Sequence, residues 1–206
     1  MFGNIIELVQ KKSRDEAGRL HGRGMKEAVH RYLRENEWSH LGNGAFSAVY
    51  CHKKIPYVIK VSPNDAAACV YLSTCMQAIG RTPYIPEVYA AATCMLEGDA
   101  FGVFAIERLR EVSRNKDREY RASEEVRSYK MLRDRLNVPP KYQVLVDVLS
   151  ETEKYMKKHG SGIHYDLHNG NAMIRESRNE TYAVLTDPVT TNGLSKKFKL
   201  PEVFMD

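Results

Sequence analysis

A run dense in polar side chains, His164-Tyr165-Asp166-Leu167-His168-Asn169-Gly170-Asn171, precedes two short apolar runs and a second acid. The apolar runs are Ala172-Met173-Ile174 and Ala183-Val184-Leu185-Thr186, and the acid is Asp187, twenty-one residues after Asp166. Together they predict a short hairpin flanked by Asn171 and Asp187. The residue types fit one chemistry. A carboxylate such as Asp166 orients an attacking hydroxyl or accepts its proton, while an amide and a second carboxylate supply hard oxygens to Mg²⁺. That combination, H-x-D-L-x-x-x-N followed by Asp, is what phosphoryl transfer from ATP requires.

The rest of the chain is long enough to build a core around such a site. Its 206 residues, 43% hydrophobic and 28% charged, are those of an ordinary globular protein of one domain or two small lobes. A net charge of +5 suits anionic partners such as nucleotides without indicating nucleic-acid binding. No apolar run is long enough to span a bilayer, and the amino terminus lacks the order of a signal peptide. Cys51, Cys69, Cys75 and Cys94 form no C-x-x-C pair and read as reduced thiols of a cytosolic protein.

Three parts are expected. Residues 1–37 form a helical extension, with Ile5, Ile6, Leu8 and Val9 as one apolar patch and Ala28, Val29, Tyr32 and Leu33 at one-turn spacing. Gly-Arg-Gly at 22–24 is expected to separate two helices that serve for packing. Residues 38–109 form a β-rich nucleotide-binding lobe. Its strands are Phe46–Cys51, Tyr57–Val61, Glu87–Ala91 and Phe101–Ile106, with a turn at Gly98-Asp99. A helix from Ala66 to Ile79 is ended by Pro83 and Pro86. Residues 110–206 form a reduced helical lobe, with helices at Arg118–Leu136 and Lys141–Lys158.

Two further features bear on phosphate. Gly42-Asn43-Gly44 precedes a strand, and glycines let backbone N–H groups approach phosphate closely. Ser47 stands where a third glycine is usual, and it either contacts a phosphate or stiffens the loop. Lys60 lies among β-formers in Val58-Ile59-Lys60-Val61, sixteen positions after Gly44, where burial calls for an anion. His164 is expected to brace the motif loop, and His168 either contacts the transferred phosphate or shapes the loop.

The set L-G-N-G-A-F-S-A-V-Y, V-I-K-V, I-P-E-V-Y, D-L-H-N-G-N and L-T-D-P-V resembles the early serine/threonine protein kinases of short-tailed, autographivirus-type bacteriophages, over residues 38–192. The resemblance implies an α+β, protein-kinase-like fold of two lobes, β-rich at the amino end and truncated and helical at the carboxyl end. It implies ATP and Mg²⁺ as cofactors, host bacterial proteins as substrates or targets, and the cytoplasm of the bacterial host. By residue, it implies catalytic roles for Asp166, His168 and Lys60 and metal binding by Asn171 and Asp187. Gly42, Asn43, Gly44, Ser47 and Lys60 would bind nucleotide, and Glu107 and Leu109 would flank a hinge that meets adenine through its backbone.

Two departures from ordinary protein kinases stand out. No Glu occurs between Asp65 and Pro86 to pair with Lys60, which leaves Asp187 or the nucleotide as partner. Only nineteen residues follow Asp187, too few for an activation segment and substrate-binding helices. Two rival readings therefore accompany the protein kinase: a small-molecule phosphotransferase, favoured by D-L-H-x-G-N, and a catalytically weak kinase fold that binds and inhibits a host protein.

Overall fold

The computed structural model describes residues 2–15, 22–44, 47–96, 99–128, 137–192, 194, 198–200 and 204–205. Helices α1 (Phe2–Asp15) and α2 (Gly22–Glu35) lead into strands β1 (Ser39–Asn43), β2 (Ala48–Cys51) and β3 (Tyr57–Pro63). Helix α3 (Ala66–Gln77) follows, then β4 (Val88–Leu96), β5 (Asp99–Glu107) and β6 (Arg110–Glu111). The remainder comprises α4 (Asp117–Ser128), α5 (Gln143–Lys158), β7 (Gly162–Tyr165), β8 (Ala172–Glu176), β9 (Thr181–Leu185), β10 (Val189–Asn192) and β11 (Phe204–Met205).

The large sheet runs β1-β2-β3-β5-β4-β11, with every pair antiparallel. Side chains alternate across a strand, so each strand serves two faces. On β3 and β5, Ile59, Val61, Phe101, Val103 and Ala105 join Ile5, Val9, Met25, Val29 and Leu33 beneath α1 and α2. The opposite parity, Val58, Phe104 and Ile106, packs with Ala67, Val70, Tyr71 and Leu72 of α3. Lys60 has that second parity, and it pairs in register with Phe104. A period of two along one strand thus puts the lysine on the α3 side of the sheet.

Helix α3 is the centre of the molecule. Ala66 through Ser73 and Cys75 are all buried, because the helix packs on β4 and β5 on one side and on α5 and β10 on others. Its close approach to β5 depends on Gly102, where a Cβ would lie 2.7 Å from Cys69 Sγ and 2.5 Å from the Phe104 ring. The smaller sheets are β6-β8-β9 and β10-β7. In the first, β8 and β9 form the expected hairpin, and Ala172 is opposite Leu185. In the second, the chain just past Asp187 returns along the strand that leads into Asp166, with Val189 opposite Tyr165.

The result is the anticipated α+β fold, a β-rich lobe joined to a reduced helical one. Several local expectations need correction. Gly22 and Gly24 begin α2 rather than separating it from α1. Helix α3 ends at Gln77, well before the prolines, and Gly80 turns the chain with φ +73°, a conformation that costs glycine little. Strand β4 extends to Leu96, beyond the expected Ala91. Helix α4 is described to Ser128, and the expected continuation at 129–136, like Phe46 and Gly98, lies outside the described residues. Strands β1, β6, β7, β10 and β11 were not anticipated.

Candidate active site

A cleft of about 240 Å³ opens between the large sheet and the β8–β9 hairpin. Nine of the residues singled out from the sequence line it: Gly42, Asn43, Gly44, Ser47, Lys60, Glu107, Leu109, Asn171 and Asp187. One end is apolar, with Leu41, Val49, Val58, Ile106 and Met173, and suits a flat heteroaromatic ring. The other end is polar, with Lys60, Asn171, Thr186 and Asp187. Leu41, otherwise exposed, belongs to the apolar end.

At the polar end, Lys60 Nζ lies 2.8 Å from Asp187 Oδ2. Lys60 is almost fully buried, so the ion pair resolves which anion replaces the missing glutamate. Asp65 does not. Its Oδ1 accepts from the Ala68 N–H at 3.1 Å as the amino-terminal cap of α3 and from the Thr191 hydroxyl at 3.1 Å. Burial pushes the Asp65 carboxyl above the usual carboxylate range, opposed by its hydrogen bonds and by Lys60.

Backbone bonds lock the two halves of the motif together. The Asp166 N–H donates to Pro188 O at 2.8 Å, and the Thr186 N–H donates to Asn171 O at 2.9 Å. Asn171 Nδ2 donates to Asp166 O at 2.8 Å, which fixes its amide plane. The Asp166 side chain is half-exposed, with His168 Nε2 3.5 Å from its Oδ1. His168 Nδ1 accepts from the Gly170 N–H at 3.0 Å, which leaves the neutral ring's proton on Nε2, facing Asp166. Neither Asp166 nor His168 is among the residues that line the cleft, although Gly170 and Asn171 beside them are.

Magnesium can be tested against these residues. Asp187 Oδ1 is buried and has no hydrogen-bond partner among the described residues. A buried carboxylate oxygen left unpaired is costly, and a cation satisfies it. Asn171 spends its Nδ2 on Asp166 and keeps its side-chain carbonyl in the same cleft. One carboxylate and one amide suit Mg²⁺, which commonly takes its remaining oxygens from phosphate and water. No group of three or more His, Cys, Asp or Glu that would form a closed metal cage occurs among the described residues. The residues fit the ion.

Other expectations change in detail. The Gly44 N–H closes the hairpin onto Ser47 O at 2.8 Å, so it is committed to the turn. Ser47 is buried. Asn43 Oδ1 is held by His40 Nε2 at 2.9 Å. His164 is exposed on β7 and neither braces the loop nor fills a core. The Glu107 N–H donates to Glu87 O at 2.9 Å, so it is not available to adenine.

Sequence reasoning missed Arg175. From β8 it donates Nε to Glu107 Oε2 at 2.9 Å, Nη1 to Pro83 O at 2.8 Å and Nη2 to Ile85 O at 3.0 Å, with a further bond to Glu107 Oε1. This one side chain ties the β8–β9 hairpin to the end of β5 and to the segment at Pro83 and Ile85. An isolated arginine in a charged hairpin carries no spacing signal, so nothing marked it.

No curated protein matches the chain's sequence. Among solved structures, the chain is similar to the Mycobacterium tuberculosis PknI kinase domain, at 16% identity and a TM-score of 0.28. The match covers 72% of this chain, which spans 58% of that domain, and it is too loose to carry weight. The family model described as bacteriophage T7 protein kinase 0.7 matches residues 5–202. On that near-complete match, the chain belongs to the family of bacteriophage T7 protein kinase 0.7.

Proposed function

We propose that the protein transfers the γ-phosphate of ATP to serine and threonine hydroxyls of host proteins in the bacterial cytoplasm. The observation that carries the reading is the Lys60–Asp187 pair at 2.8 Å with the second Asp187 oxygen unpartnered. The arrangement offers one cation to phosphate and one oxygen to a metal. Consistent with an enzyme free in solution, no helix among the described residues is long and apolar enough to cross a membrane.

In this mechanism the apolar end of the cleft holds adenine, and Lys60 turns toward the α- and β-phosphates as they arrive. Asn171 and Asp187 hold Mg²⁺, which when bound neutralises the phosphate oxygens and aligns them. Asp166 accepts a hydrogen bond from the incoming hydroxyl and takes its proton as the hydroxyl oxygen bonds to the γ-phosphorus and the bond to the β–γ bridging oxygen breaks, its electron pair leaving with ADP. His168 keeps the Asp166 loop in shape through Gly170 and presents its Nε2–H toward the site of transfer. General-base assistance of this kind contributes about 10²–10⁴-fold.

The test is labelling of bacterial lysate with γ-labelled ATP by the wild type and by Asp166→Ala. Labelled protein bands carrying phosphoserine and phosphothreonine, lost with the variant, support the proposal. Equal labelling by the variant refutes the role of Asp166. Label found only in small molecules supports the small-molecule phosphotransferase. Label in neither, with host protein still retained by the Asp166 variant, supports the inhibitor.

A further inference from the structure

Helix α3 contains no acid, yet it grips the segment that carries Asp187 at two points. Tyr71 is fully buried, and its hydroxyl donates to Leu185 O at 2.7 Å. At the helix amino terminus, the Ala67 N–H donates to Thr191 Oγ1 at 2.9 Å, and that hydroxyl donates to Asp65 Oδ1. The two anchors bracket Asp187, two residues before it and four after it. The Leu185 peptide is also held from its other end, where its N–H donates to Tyr84 O at 3.0 Å.

Neither anchor follows from packing alone. A phenylalanine would fill most of the Tyr71 space, and a buried hydroxyl is costly unless paired. Its 2.7 Å bond has near-optimal length for O–H···O. Burial also holds the phenol well above its ordinary acid range, so the donor persists at any working pH. Thr191 closes the second anchor by accepting and donating at once, a combination valine cannot supply and serine can.

We infer that Tyr71 and Thr191 are positioning residues that set the Asp187 carboxylate for Lys60 and the metal, replacing an acidic side chain on the helix. In an ordinary kinase arrangement the helix acts through the lysine. Here the helix holds the segment on both sides of the aspartate, by the Leu185 carbonyl before it and the Thr191 hydroxyl after it, and the aspartate holds the lysine. The inference rests on the metal role of Asp187 proposed above.

The test uses Mn²⁺ as probe, with its free concentration read by electron paramagnetic resonance in the presence of a non-hydrolysable ATP analogue. Residues that orient metal ligands typically change metal affinity by about 10–100-fold when altered. Tyr71→Phe and Thr191→Val are each expected to weaken Mn²⁺ binding about tenfold, while Thr191→Ser restores it. Binding of the same analogue in EDTA should fall much less than Mn²⁺ affinity, because the rest of the cleft wall is intact. Thermal melts identify which variants are folded, and the Thr191→Val and Thr191→Ser pair carries the test if Tyr71→Phe does not fold. Unchanged Mn²⁺ affinity in the folded variants overturns the inference. So does an equal loss of metal-free nucleotide binding, which marks a general structural role. A wild type that binds Mn²⁺ with the analogue but transfers no phosphate overturns the kinase reading alone. A wild type that binds no Mn²⁺ with the analogue overturns both.

Discussion

Replacing Arg175 by methionine keeps most of its length and removes its charge. The side chains of Arg175 and Glu107 are 17% and 12% exposed, so the pair is largely withdrawn from water. Removing one partner of a buried pair costs about 3–5 kcal/mol, and the residual exposure places this case near ~3. The loss includes the bonds to Pro83 O and Ile85 O. For a chain of this size each kcal/mol moves Tm by about 2–4 °C, so a fall of about 6–12 °C is expected. Glu107→Gln, which can still accept from the Glu87 N–H, should cost about 2 kcal/mol. The double variant leaves no buried charge alone and should also cost about 2 rather than 5, a coupling of about 3 kcal/mol. Urea unfolding of all four proteins at equal m-value measures the cycle. Additivity within about 0.5 kcal/mol, or a cost for Arg175→Met below about 1, would refute the claim that this pair joins the end of β5 to the β8–β9 hairpin. Because Glu107 lines the cleft, the same variant should raise KM for ATP more than it lowers kcat.

Three further outcomes are expected. Gly102→Ala forces a Cβ against Cys69 and Phe104 and should destabilise by about 1–3 kcal/mol, read as a lower urea midpoint. Lys60→Met leaves the Asp187 carboxylate without its cation, so transfer should fall at least about 10²-fold; the lowered Tm should partly recover on adding Mg²⁺ with nucleotide, and no recovery would count against the metal assignment. Asp65 carries a carboxyl raised mainly by burial, so the folded protein holds that proton more tightly than the unfolded chain. That contribution is full below the ordinary aspartate range and is lost as pH rises through the folded value. Asp65→Asn, which cannot ionise but can still accept through Oδ1, should therefore gain Tm relative to wild type as pH rises above about 4; a gap that moves the other way refutes the burial argument.

The contrast between Lys60 and Arg175 shows where the sequence was legible. Lys60 lies sixteen positions after the glycine pair, in the next run of β-formers but one, and that spacing alone put it near the β1–β2 hairpin, where it pairs in register with Val49. Asn171 and Asp187 flank a hairpin whose ends must meet, so their approach follows from local pairing. Arg175 bonds to carbonyls of Pro83 and Ile85 some ninety residues away, and a carbonyl has no signature in the sequence. Strands β7 and β10 escaped notice because each has only four residues and no buried face that alternates cleanly. His164 shows the opposite error. Its place in the motif suggested a bracing role, but it lies exposed on β7, opposite Thr190.

The absent glutamate follows from the same physics. A helix buried on every side pays heavily for an ionised side chain unless that charge is paired at once. Helix α3 packs on β4, β5, α5 and β10, and Ala66 through Ser73 and Cys75 are buried, so an acid at any of those positions would be withdrawn from water. The chain places its two carboxylates at the edges instead. Asp65 sits at the helix start, where two donors meet it, and Asp187 sits where Lys60 meets it. A neutral hydroxyl, Tyr71, carries the contact through the apolar interior, because a phenol can donate to a carbonyl without being ionised. Burying the helix therefore moves the task of aligning Lys60 from a charge on α3 to the segment that α3 holds.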